Sequence, residues 1–337
     1  MLTLGNDHLT VDLEPRRGAE IRAVRGRDGA NALAHYDWAA PAPPGPGHGY
    51  RDSETDWLSA YRGGWQETVP NAGDESQLDD LGDPFRGVVL PFHGEASVLE
   101  WTVVEATPTS CELTVALRLP LVVRRTMTLH PERAALLIEG TVTNESDLEV
   151  PFVWGHHPVF PIVPGTRLEA GDGSYTTEPR EAGDLASAGG RWPDAVDHSG
   201  AAVDLAAAPT IATMRLLYLN GHRQNWAVVR QPAGRPSVAM AWDLQAFPYT
   251  WVWQMRGEAG FPWYGRMAVM GVEPQTAWPY DGLAGAVERG QAHRLGPHQA
   301  MSSWLTMTVL DDPPGDVLDV TRDGRVIGRD PQAEEAR

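Results

Sequence analysis

SVLEWTVVEA (97–106), SCELTVALRL (110–119), LVVRRTMTLH (121–130) and ALLIEGTVTN (135–144) follow one another with only short turn segments between them. Within each, apolar and polar residues alternate, the period of a strand with one buried face. No long helical periodicity separates them, so the stretch predicts neighbouring antiparallel strands of a sandwich or barrel. Working outward, residues 9–13 alternate, 14–18 turn and 19–24 alternate again. Later runs have the same form: TMRLLYL (213–219), NWAVVRQ (225–231), SVAMAWDL (237–244), YTWVWQM (249–255), RMAVMGVE (266–273) and SSWLTMTVL (302–310). The expected fold is all-β, a large antiparallel β-sandwich over residues 1–310. Residues 40–50, rich in Pro and Gly, are expected to be a loop. Residues 171–210, rich in Gly, Ala, Asp and Ser, break the rhythm and are expected to be an irregular surface insertion. Residues 311–337 make a polar tail in which VLDVTRDGRVIG (317–328) can form a hairpin.

Composition narrows the function. The formal net charge of the 337 residues is -18, which repels nucleic acid and suits a neutral or small partner. The chain contains no lysine, so a Schiff-base lysine, a pyridoxal enzyme and a lysine phosphate loop are all excluded. Cys111, the single cysteine, sits in an alternating run and reads as a small core residue. Met1 leads directly into a strand-like segment, so neither a signal peptide nor a membrane span is expected. The expectation is a cytoplasmic protein, monomer or homodimer, that meets neither membrane nor nucleic acid.

Chemistry gathers where apolar runs break at a polar group. VPFVWGHHPVFP (150–161) carries His156 and His157 after a buried-type run, and Pro158 is expected to end the pairing there. Two imidazoles at such a lip can exchange protons near neutral pH; the plainer alternative is a core histidine satisfied by a carbonyl. PFHGEA (91–96) places His93 and Glu95 two apart, on one side if the strand continues, with Gly94 permitting close approach. In VMGVEPQT (269–276) Glu273 follows a run apolar enough to be buried on both faces. Such a carboxyl is costly unless paired, and its pKa rises, as a general base requires; an ion pair with Arg266 is the alternative. A metal site from His93, His156 and His157 is disfavoured, because adjacent strand residues face opposite ways. Trp65, Trp154, Trp251, Trp253, Trp263 and Trp278 lie in or near these segments and suit either core packing or the C–H faces of a sugar.

These motifs, in this order, resemble the aldose 1-epimerase (galactose mutarotase-like) superfamily. LTVDLEPRRGAEIRAVRGRDGANAL is similar to its first strands, GGWQETVPNAGD to its Pro-Asn segment, and HGEASVLEW to its histidine-glycine motif. GHHPVF and VEPQT are similar to the segments carrying its acid and its carboxylate. The resemblance implies a galactose mutarotase-like supersandwich that needs no cofactor or metal and interconverts the α and β anomers of a free sugar. It implies Glu273 as base on the anomeric hydroxyl and His157 as acid on the ring oxygen. It further implies substrate contacts from His93, Glu95, Trp65, Asn71, Trp154 and Trp253. The arginine that relatives carry near PNAGDE is replaced by Gly73 or Asp74, with Arg62 as a substitute. Their sugar-binding aspartate is replaced by His222, Arg223 and Gln224. A hexose-6-phosphate 1-epimerase and a non-catalytic carbohydrate-binding protein are the alternatives on the same fold.

Overall fold

The computed structural model describes residues 1–38, 52–221 and 224–329; the stretch 40–50 and His222 and Arg223 lie outside the described residues. Two large antiparallel sheets face each other as a sandwich. One has eight strands, in the order Arg167–Ala170, Trp226–Arg230, Ser237–Trp242, Ala300–Leu310, Ala135–Asn144, Leu121–Leu129, Ser110–Ala116 and Thr102–Ala106. The other has ten, and its middle strands run Trp65–Thr68, Gly155–Pro161, Ala268–Gln275, Tyr249–Arg256 and Thr213–Asn220.

Alternation sets the core. In Leu121–Leu129 every second side chain from Leu121 to Leu129 is buried, and Arg125 falls on that inward parity. Its charge is met across the sandwich by Glu67 at 3.3 Å, its guanidinium lies 4.7 Å from the Trp101 ring, and Trp154 Nε1 donates to Glu67 at 2.7 Å. Burial pushes the Glu67 carboxyl up, and the Arg125 cation beside it pulls it back.

Several local expectations are corrected. The segment 97–101 is turn rather than strand: Val98 and Leu99 amides both close onto the Glu95 carbonyl, and the strand starts at Thr102. A helix, Ser53–Ala60, was not expected; the Asp52 side chain accepts from the Thr55 amide and caps it, a signal present in DSETDW. The stretch 171–210 is not an irregular insertion. Ser174–Thr177 pairs with Thr213–Asn220, and Gly189–Arg191 follows it as the edge strand of the ten-stranded sheet. Between them a 3₁₀ turn, Pro179–Glu181, follows Glu178, whose amide donates to the Leu216 carbonyl, and Glu181 on it accepts from Tyr280. In the tail, Val317–Val320 pairs with Val326–Gly328 and buries Val317 and Val320 against Trp226 and Val228. Among the described residues no helix is long and apolar enough to cross a membrane.

Candidate active site

Pro158 does not end its strand, which runs on to Pro161. Against Ala268–Gln275 the pairing puts Gly155 opposite Gln275 and resumes with Val159 opposite Gly271. The interruption brackets Pro158 and Pro274, neither of which has an amide hydrogen for the ladder. That register sets His157 against Glu273, and Trp251 lies opposite Glu273 on the next strand. Opposed residues share a face, so the three project together, and Trp253, two residues on, joins them. His157 Nε2 stands 3.5 Å from Glu273 Oε1. Gly271, on the same face, leaves the room: a Cβ there would meet Glu273 Oε1 at 2.4 Å and Trp253 Cβ at 3.2 Å.

The pair opens into a cavity of about 280 Å³, close to the lower bound of small-ligand pockets. Trp57, Trp251, Trp253 and Trp263 contribute aromatic walls, and His93 and Tyr280 polar ones. His93 does not sit on a strand. It occupies a tight turn at φ 56°, clipped by its own amide to the Gly73 carbonyl (2.9 Å) and by the Gly73 amide to its Nδ1 (3.1 Å). Gly94 beside it is required by the backbone: a Cβ would lie 2.6 Å from the Val69 and Asn71 carbonyl oxygens. With Nδ1 accepting from an amide, the ring proton belongs on Nε2, so His93 is a neutral donor.

Burial governs the electrostatics. It pushes Glu273 well above the usual carboxyl range, with the nearby Glu181 charge adding to the effect. It lowers His157 to about 4, its own backbone carbonyl partly opposing, and lowers His93 well below 6.5. Behind His157, Tyr61 lies with its hydroxyl 3.5 Å from Nδ1, and burial keeps that phenol protonated. Its oxygen can accept from Nδ1–H, which leaves Nε2, facing Glu273, as the nitrogen that gains and loses a proton.

Other expected site residues lie elsewhere; strand parity explains Trp65 and His156, and hydrogen bonding the rest. Trp65 and His156 are on the inner face, where Trp65 Nε1 donates to His156 Nδ1 at 3.3 Å; burial lowers His156 to about 3. Trp154 is core, bonded to Glu67. Glu95 turns away from His93 and accepts from the Arg118 amide at 2.7 Å, with Arg118 Nε at 3.1 Å. Asn71 is spent on the backbone, donating to the Asp74 and Pro91 carbonyls and accepting from the Leu283 amide. Arg62 donates to the Trp38 carbonyl, outside the cavity lining. Arg266, the alternative partner for Glu273, instead lies over Trp38 and donates to the Trp263 and Pro262 carbonyls.

Several lining residues were missed, among them Glu54, Trp57, Glu181 and Tyr280. Glu54 and Trp57 ride on the unexpected helix. Glu181 comes from the 3₁₀ turn in the supposed insertion and accepts from Tyr280 at 3.2 Å. Nothing local in TTEPREAG (176–183) marks Glu181; only the fold carries it there. Among the described residues no group of three or more His, Cys, Asp or Glu could hold a metal.

The sandwich has relatives among solved structures. A candidate aldose 1-epimerase from Klebsiella pneumoniae subsp. pneumoniae MGH 78578 matches at TM-score 0.67 and 17% identity, over 91% of this chain and 78% of that one. The Slr1438 protein from Synechocystis sp. PCC 6803 matches at 0.64 and 17%, over 92% and 96%. A galactose mutarotase-like protein from Lactobacillus casei ATCC 334 matches at 0.55 and 18%, over 92% and 100%. At these identities the likeness establishes the galactose mutarotase-like fold. No curated protein matches in sequence. A family model described as a domain of unknown function, DUF4432, matches residues 1–309, and the chain belongs to that family.

Proposed function

We propose that this chain is a sugar 1-epimerase that interconverts the anomers of an aldose by acid–base ring opening and closure. The observation that carries the reading is the buried contact of His157 Nε2 with Glu273 Oε1, 3.5 Å apart at the wall of an aromatic cavity. Anomer exchange needs one proton removed from the anomeric hydroxyl and one delivered to the ring oxygen. Both oxygens are bonded to the same carbon, so two groups in contact can serve both. Glu273 takes the hydroxyl proton and His157 Nε2 protonates the ring oxygen; the ring opens to the aldehyde, C1 rotates, and the reverse transfers close it. Before the transfer the pair is carboxylate and imidazolium; afterwards it is carboxylic acid and imidazole. The pair has the same net charge in both states. Burial opposes the charged state while the contact favours it, which keeps the two close in energy. His93 donates from Nε2 to a sugar oxygen, and Trp253 and Trp263 offer faces to the ring.

The test is one-dimensional proton NMR of anomer exchange over free and phosphorylated aldoses, each rate taken above the buffer background. Acceleration that depends on Glu273 and His157 is the expected result. Saturable binding without acceleration of any sugar would replace it with a carbohydrate-binding protein. Acceleration confined to hexose 6-phosphates would make it a phosphosugar epimerase.

A further inference from the structure

The described lining of the cavity holds four carboxyl side chains, Glu54, Glu181, Glu258 and Glu273, and no arginine, in a chain without lysine. Burial keeps His93 uncharged, and the His157–Glu273 pair has no net charge in either proton state, so neither offers a cation to a further carboxyl. Arg180, next to Glu181, is already committed: Nη1 bonds Asp74 at 2.7 Å, Nε bonds Glu178 at 3.1 Å, and the guanidinium lies 4.0 Å over the Tyr280 ring. Among the described residues the Glu181 carboxyl has one side-chain hydrogen bond, from the neutral Tyr280 hydroxyl at 3.2 Å, and no ion pair. Burial pushes Glu181 up to about 7; the Tyr280 hydrogen bond and the smaller pull of the Arg180 charge oppose this, and the like charges of Glu178 and Glu54 add to it. Glu54, at the first turn of its helix, is also raised by burial and by Asp74 and Asp52. Independently, His93 is 6% exposed and lines the same cavity with its proton on Nε2, a donor awaiting an acceptor such as a hydroxyl. Hydroxyl-bearing and positively charged in one ligand is the chemistry of an amino sugar.

We propose that Glu181, with Glu54, forms a subsite for the protonated amino group of an amino sugar bound in this cavity. This rests on the sugar-binding reading above and names its substrate class. An ammonium there would supply the missing counter-charge through a charge-assisted hydrogen bond and return Glu181 to the ionised state. A phosphate or carboxylate on the sugar would face the same carboxyls and be repelled.

The experiment is calorimetric titration of the full chain at about pH 7 and low salt with glucose, 2-amino-2-deoxyglucose and glucose 6-phosphate. The amino sugar is expected to bind about tenfold or more tighter than glucose, and the phosphate more weakly than glucose. In Glu181→Gln the ratio of amino-sugar to glucose affinity should fall to within about twofold of one. Glu54→Gln, on a different element, should narrow the gap in the same direction and serves if Glu181→Gln does not fold. Equal binding of glucose and the amino sugar, tighter binding of the phosphate, no binding of any of the three, or an undiminished preference in both variants overturns the proposal. The readout is binding, so a failed epimerase reading shows separately, as an amino-sugar preference without anomer exchange.

Discussion

Replacing Glu273 with Gln keeps the shape of the side chain and removes its charge. The cost follows from the contact with His157. Two unit charges 3.5 Å apart interact by about 332/(20 × 3.5), roughly 5 kcal/mol, at the effective dielectric suited to protein sites. That is equivalent to about 3.5 pH units in favour of the imidazolium. Glutamine therefore removes the proposed base and also withdraws the charge that would allow His157, already lowered to about 4 by burial, to carry its proton. Both proton transfers suffer from one substitution. Anomer exchange, followed by proton NMR above the buffer rate, should fall by on the order of 10²–10⁴-fold. Sugar binding should largely persist, because the aromatic walls and His93 are untouched. His157→Asn should lose a comparable factor, and the double variant little more than either single one, since the two act as a unit. If Glu273→Gln equilibrates anomers as fast as the wild type on every sugar that the wild type accelerates, the role assigned to the carboxyl is wrong.

Gly271→Ala would place a methyl 2.4 Å from Glu273 Oε1 and push the carboxyl from His157. A fall of about tenfold or more in anomer exchange with the fold retained is expected, on the sensitivity of proton transfer to position, and an unchanged rate would refute the geometry. Arg125→Met leaves Glu67 buried without its cation and should cost about 3–5 kcal/mol in urea denaturation, with much of it recovered in Glu67→Gln/Arg125→Met; a cost below about 1 kcal/mol would contradict the account of this pair. His156→Phe tests the core histidine through pH. His156 has a folded pKa of about 3 against 6.5 unfolded, so the unfolded chain binds the extra proton between those values. The stability of the wild type relative to the variant is therefore full above pH 6.5 and should shrink steadily as pH falls towards 3; a pH-independent difference would show that His156 is not held neutral.

Alternation along the chain was enough to anticipate the sandwich, because burial of one sheet face imposes a period of two whatever the partner strand is. It also separates His156 from His157, since neighbours on a strand must face opposite ways. Parity alone could not say which way Trp65 and Trp154 point, because a tryptophan suits a core and a sugar cleft equally well. Only pairing with the flanking strands places Gln66 with His157 and Trp65 with His156 and Pro158. Glu95 and Asn71 lie beside cavity residues in sequence but are spent on backbone groups, and nothing local distinguishes an amide partner from a ligand.

What the amino-acid sequence determined by itself was the class of fold, and it singled out two candidate groups for moving protons. A histidine and a glutamate at breaks in apolar runs carry their own energetic signature, the cost of burying charge. The tertiary structure decided that these two are 3.5 Å apart, and that His93 is a neutral donor. It also carried Glu181 into the same cavity from a strand-edge excursion distant along the chain from Glu273. Those are consequences of long-range register, in which strands separated by a hundred residues become neighbours, and no local pattern encodes which pairs will meet.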